Sequence, residues 1–124
     1  MMKKILVVDD EAGLTRMIKA NLERTGRFSV RAENDPTVAI AAARAFDPDL
    51  IFLDVMMPQM EGDELAALIK EDPRLATKPV VFMTAIVTKQ ETGPGVSEIG
   101  GNLFLAKPVK TEALIAAIDK LLGP

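Results

Sequence analysis

Cysteine is absent from the 124 residues, which excludes disulfides, thiol catalysis and thiolate metal sites. Histidine is absent too, removing the usual general base and the imidazole metal ligands. Any metal must then sit among oxygen ligands, which favours hard ions such as Mg²⁺. Tryptophan and tyrosine are also missing, leaving five phenylalanines as the aromatic side chains. No apolar run approaches the roughly 18 residues that cross a bilayer. The start, Met1-Met2-Lys3-Lys4, has the basic flank of a signal peptide, but Asp9-Asp10 ends the apolar stretch Ile5–Val8 too early for an h-region. A cytoplasmic chain with no membrane contact is expected. Neither sign of charge dominates. The 15 basic and 18 acidic side chains leave −3, which argues against nucleic-acid binding through phosphate contacts.

The chain is long enough for one domain with a core of its own, expected over residues 1–124. Apolar residues make up 48%, too many for a disordered chain. Short apolar runs, Ile5–Val8, Phe28–Arg31, Leu50–Leu53, Val80–Met83 and Leu103–Ala106, alternate with helical patterns. The runs lack strict alternation, which predicts strands buried on both faces of a parallel sheet. Phe28–Arg31 is the most polar and is placed at an edge. Leu14, Met17, Ile18 and Leu22 share one helical face, and Gly26 follows as a stop. Asp35-Pro36 reads as an N-cap and first-turn proline opening an alanine-rich helix to Ala45. Leu65, Leu68 and Ile69 form a face on a helix ending before Pro73. Thr111 is a candidate cap for a last helix carrying Leu114, Ile118, Leu121 and Leu122 on one face. Between Thr84 and Leu103, Thr88–Thr92 could start a helix, but Gly93-Pro94-Gly95 interrupts it. One or two turns and an irregular loop are expected there. Five strands alternating with about five helices predict an α/β fold, a three-layer, doubly wound domain around a five-stranded parallel sheet. Such folds bind ligands at the carboxyl ends of their strands.

Polar residues stand at those ends. Asp9-Asp10 follow the first run, Asp54 the third, Thr84 the fourth and Lys107 the fifth. Three carboxylates, a hydroxyl and a lysine should therefore meet at one rim of the sheet. At about 4 Å, two carboxylates repel by several kcal/mol at an effective dielectric near 20. A divalent cation relieves that cost, and Mg²⁺ takes one or two carboxylates, backbone oxygen and water. A carboxylate beside Mg²⁺, a lysine and a hydroxyl is placed to attack a phosphoryl group and form an acyl phosphate. Each residue also has a plainer reading. Asp and Thr commonly cap helices and form turns in such loops, and Lys107 could be an ordinary surface lysine. Their joint placement at four strand ends favours the site.

These residues resemble the response-regulator receiver domain of two-component signalling. The matching segments are Val7-Val8-Asp9-Asp10-Glu11, Leu53-Asp54-Val55-Met56-Met57-Pro58-Gln59-Met60-Glu61-Gly62, Thr84-Ala85 and Lys107-Pro108. The resemblance spans nearly the whole chain. It implies a flavodoxin-like fold with strand order 2-1-3-4-5. It also implies that Asp54 is the phospho-acceptor, with Asp9, Asp10, Asp54 and the backbone carbonyl of Met56 holding Mg²⁺. Thr84 is then the switch hydroxyl and Lys107 the contact to the phosphoryl group, with a cis Lys107-Pro108 bond. The implied donor is a sensor histidine kinase or a histidine phosphotransfer domain, and the implied output is a contact with a downstream protein.

Phe104 stands where the family has Tyr or Phe, three residues before the lysine, and offers a rotating ring without a hydroxyl. The fourth helix, regular in the family and part of its output surface, is interrupted here by Gly93-Pro94-Gly95. The last helical pattern ends two residues before Pro124, leaving no room for a DNA-binding effector, so the chain is either stand-alone or one domain of a longer protein. Two rival readings remain. One is a phosphorylation-independent pseudo-receiver acting as an interaction module, against which all the functional positions are present. The other is a small flavodoxin-like cofactor binder, against which Tyr, Trp and a phosphate-binding loop are absent. Met56, Met57 and Met60 are read as loop packing.

Overall fold

The structure is a computed structural model that describes residues 2–85, 97–99 and 102–124. In chain order the elements are β1 (Lys3–Val8), α1 (Ala12–Arg24), β2 (Phe28–Glu33), α2 (Ala39–Phe46), β3 (Leu50–Asp54), α3 (Gly62–Glu71), β4 (Val80–Thr84), β5 (Ser97–Ile99), β6 (Asn102–Ala106) and α4 (Thr111–Leu122). The sheet runs β2-β1-β3-β4-β6-β5. Its five long strands are parallel and follow the expected order, with β2 at an edge. The ladder aligns Val8 with Leu53, Asp54 with Met83 and Thr84 with Ala106, so these strands end at one rim.

Period-two side-chain alternation divides each buried strand between two cores. Ile5, Val7, Phe52 and Met83 pack under α1 and α4 with Ile18, Leu22, Leu114 and Ile118. Leu6, Val8, Ile51, Leu53 and Phe82 pack on the opposite face under α2 and α3, with Ala39, Ala43, Leu65 and Ile69. Every residue of β3 is buried. Burying one such aliphatic side chain contributes about 1.5–3 kcal/mol, so neither face of the central strands tolerates a polar residue away from the rim. At the β2 edge, Glu23 accepts a hydrogen bond from the Val30 N–H at 3.0 Å and Lys19 donates to the Val30 carbonyl at 2.8 Å. Two side chains of α1 thereby occupy backbone groups that an edge strand would otherwise expose.

Several local expectations need correction. The segment between Thr84 and Leu103 contains a strand, β5, antiparallel to β6, where only turns and loop were expected. Ser97, Glu98 and Ile99 pair there with Phe104, Leu103 and Asn102. Thr88–Thr92 and Gly93-Pro94-Gly95 lie outside the described residues. Met17 and Leu68 share the spacing of their buried neighbours but are exposed by 46% and 40%, because α1 and α3 bury narrower stripes than their sequences allow. Asp35 does cap, accepting from the Thr37 N–H at 2.9 Å, but the turn it opens at Pro36 is 3₁₀ before α2 begins. Thr111 is the first residue of α4, and Lys110 holds the cap position without a side-chain bond. Among the described residues no helix is long and apolar enough to cross a membrane.

Candidate functional site

Asp9 leaves the end of β1 fully buried. Its N–H donates to the Glu33 carbonyl at 3.1 Å, and its Oδ1 accepts from the Glu11 N–H at 2.9 Å. This turn makes Glu11 the N-cap position of α1, without a side-chain cap bond. Asp9 is therefore not a helix cap. The turn is fastened from just beyond β2: Asn34 Nδ2 donates to the Asp9 carbonyl and to Thr15 Oγ1, each at 2.8 Å.

Asp54 is the last residue of β3 and only 5% exposed. The chain turns immediately beyond it. The Val55 N–H donates to the Met83 carbonyl at 3.1 Å, and the Gly62 N–H donates to the Val55 carbonyl at 2.8 Å. That closure brings Gly62 so near that a Cβ there would lie 2.3 Å from the Asp54 carbonyl oxygen. Glycine is required at 62 for this close approach. Met57 is buried in the loop and Met60 partly so, as packing residues, but Met56 is exposed by 63%.

Thr84 ends β4 and is buried, and its carbonyl accepts from the Lys107 N–H at 2.8 Å. The Lys107-Pro108 bond is cis, as expected. Lys107 extends its ammonium over the acidic residues. Its Nζ lies 2.8 Å from Asp9 Oδ2, 3.2 Å from Asp54 Oδ1 and 3.3 Å from Glu11 Oε1.

Carboxylate oxygens of Asp9, Asp10 and Asp54 lie within 4.8 Å of one another. Burial and the neighbouring Asp9 charge raise the Asp54 pKa to about 6. Burial also raises that of Asp9, only partly offset by Lys107 and the Glu11 N–H. For Lys107, burial opposes the charge, but Asp9 and Asp54 outweigh it and hold the ammonium above the ordinary lysine value. The pocket thus carries more negative charge than one lysine balances. Asp9 Oδ2 is fully buried and, apart from its ion pair with Lys107, has no hydrogen-bond partner among the described residues. A buried acceptor with spare capacity, beside two further carboxylate oxygens, is the donor set that suits a hard divalent cation.

Asp9, Asp10 and Asp54 are brought together, Lys107 joins them, and Thr84 stands at the neighbouring strand end. Sequence reasoning gave no role to Glu11, Asn34 or Gly62. Gly62 carried a signal, a lone glycine opening a helix shortly after the acidic strand end.

The sequence profile of the response regulator receiver domain matches residues 5–119. The chain belongs to this receiver family. It is 35% identical over 121 residues to the response regulator Rre1 of Synechocystis, covering 96% of this chain and 51% of that protein. To the response regulator PleD of Caulobacter vibrioides it is 37% identical, covering 98% of this chain and 26% of the relative. The receiver domain therefore spans about half or less of these curated relatives. Among solved structures, the chemotaxis protein CheY4 of Vibrio cholerae superposes with a TM-score of 0.83 at 28% identity, covering 98% of this chain and 100% of that one.

Proposed function

We propose that this receiver domain accepts a phosphoryl group on Asp54 from a phospho-histidine carried by a sensor histidine kinase or a histidine phosphotransfer domain. The observation that carries the reading is the buried Asp54 carboxylate, with Lys107 Nζ at 3.2 Å and oxygens of Asp9 and Asp10 within 4.8 Å. A carboxylate oxygen of Asp54 attacks phosphorus as the P–N bond to histidine breaks, leaving an acyl phosphate and a free imidazole. Lys107 donates to a phosphoryl oxygen, and the Thr84 hydroxyl donates to another once the group is in place. Asp9, Asp10, Asp54 and the Met56 carbonyl would hold Mg²⁺. When bound, the ion offsets negative charge on acceptor and phosphoryl group.

Slow hydrolysis of the acyl phosphate resets the domain, which makes it a signalling switch more than a metabolic enzyme. The proposal extends to a receiver domain filling residues 1–124, to a cytoplasmic location and to a downstream protein that distinguishes the two states. The test is intact-protein mass after incubation with acetyl phosphate, with and without Mg²⁺. Wild type should gain one phosphoryl group only with Mg²⁺, and Asp54→Asn should gain none. Equal labelling of the two proteins would remove Asp54 as the acceptor. A failure of wild type to label, with the cognate kinase also inactive on it, would favour the pseudo-receiver.

A further inference from the structure

Among the described residues Lys107 is shared by three carboxylates, and one of them stands outside the proposed acceptor and metal set. Asp9 and Asp54 meet its Nζ from buried positions, at 2.8 and 3.2 Å. Glu11 Oε1 lies 3.3 Å from the same nitrogen on a side chain that is 64% exposed. The main chain of Glu11 is pinned, since its N–H donates to Asp9 Oδ1 at 2.9 Å. Its carboxylate is thereby delivered to the mouth of the pocket on a tether that can swing outward.

An ammonium has three N–H donors, and three carboxylates lie within ion-pair distance of this one. A phosphoryl group on Asp54 needs one of those donors. Asp9 cannot release its share without leaving the core, and the Asp54 carboxylate is itself the group being modified. Glu11 can withdraw into water at little cost, because an exposed ion pair contributes at most about 1 kcal/mol. It also places negative charge where an anionic donor must approach.

We propose that Glu11 is a positioning residue that holds Lys107 over Asp54 in the unphosphorylated state and is displaced by the incoming phosphoryl group, so that it sets how readily the site takes up an anionic phosphodonor. This inference rests on Asp54 being the acceptor. Both effects oppose uptake, and neither touches the bond being broken.

The test is beryllofluoride titration, followed by NMR in saturating Mg²⁺, of wild type, Glu11→Gln and Glu11→Ala. Glu11→Gln keeps size and acceptor and removes only charge. Both variants should bind about two- to five-fold tighter at low ionic strength. The gain should shrink at about 0.5 M salt, where exposed charges are screened. With acetyl phosphate the gain should fall on the apparent KM and not on kcat. Equal or weaker binding in both variants at low salt would overturn the proposal, as would a gain indifferent to salt. If wild type takes up no beryllofluoride, the acceptor reading itself fails, an outcome distinct from failure of the Glu11 inference.

Discussion

At Asp54 a carboxylate is held where burial and Asp9 both oppose its charge, and its pKa stands at about 6 against an ordinary 3.8. In the unfolded chain the group ionises near the ordinary value. Between the two values the folded state binds the extra proton, so stability falls as pH rises from about 4 to about 6. One pKa unit corresponds to about 1.4 kcal/mol. Asp54→Asn should therefore stabilise the Mg²⁺-free protein at pH 7 by about 1–3 kcal/mol. The gain should fade on acidification to pH 4. Thermal unfolding of both proteins across that range checks it, and an equal effect at pH 4 and pH 7 would contradict the account of a charge opposed by burial and by Asp9. The acidic residues and Lys107 were legible because each follows an apolar run directly. Glu11 and Asn34 were not. Glu11 pairs with a lysine far along the chain, and Asn34 acts through the Asp9 carbonyl, which no side-chain pattern encodes.

Among the elements, the loop from Val55 to Gly62 does the most to place the acceptor. Its closure depends on the missing Cβ at 62, since one there would stand 2.3 Å from the Asp54 carbonyl oxygen. Backbone cannot yield as a flexible side chain can. Gly62→Ala should cost about 1–3 kcal/mol, the usual range for overpacking, and should also slow labelling of Asp54 by displacing the strand end. Unfolding and labelling measured on the same sample test both halves. A stable variant that labels at the wild-type rate would show that the loop tolerates the shift. Parallel strands were legible because burial on both faces writes unbroken apolar runs, as in β3. The strand β5 was not, because three residues beside Gly-Pro-Gly and Gly-Gly carry too little pattern. Met17 and Leu68 misled because helical spacing marks a possible face, while the neighbouring element decides how much of it is covered.

Across the whole molecule, the strand that ends at Thr84 and the strand that leads to Lys107 also share an aromatic pair at their middles. Phe82 of β4 and Phe104 of β6 are register partners, with ring centroids 5.3 Å apart and planes at 28°. Phe104 is only partly buried. Thr84 lies two residues beyond Phe82, and Lys107 three beyond Phe104, so a rearrangement around a phosphoryl group reaches the pair through both strands. Mg²⁺ with beryllofluoride should therefore shift the ring resonances of Phe82 and Phe104 together in an NMR titration. Shifts confined to Asp9, Asp54 and Lys107 would place the output elsewhere. All of this depends on where the phosphoryl group goes. The most direct measurement is to phosphorylate the protein in Mg²⁺, reduce the acyl phosphate with borohydride and map the modified peptide by mass spectrometry. The expected result is reduction at Asp54 alone, converting its side chain to an alcohol. Modification at Asp9, Asp10 or Glu11 with Asp54 untouched would contradict the account.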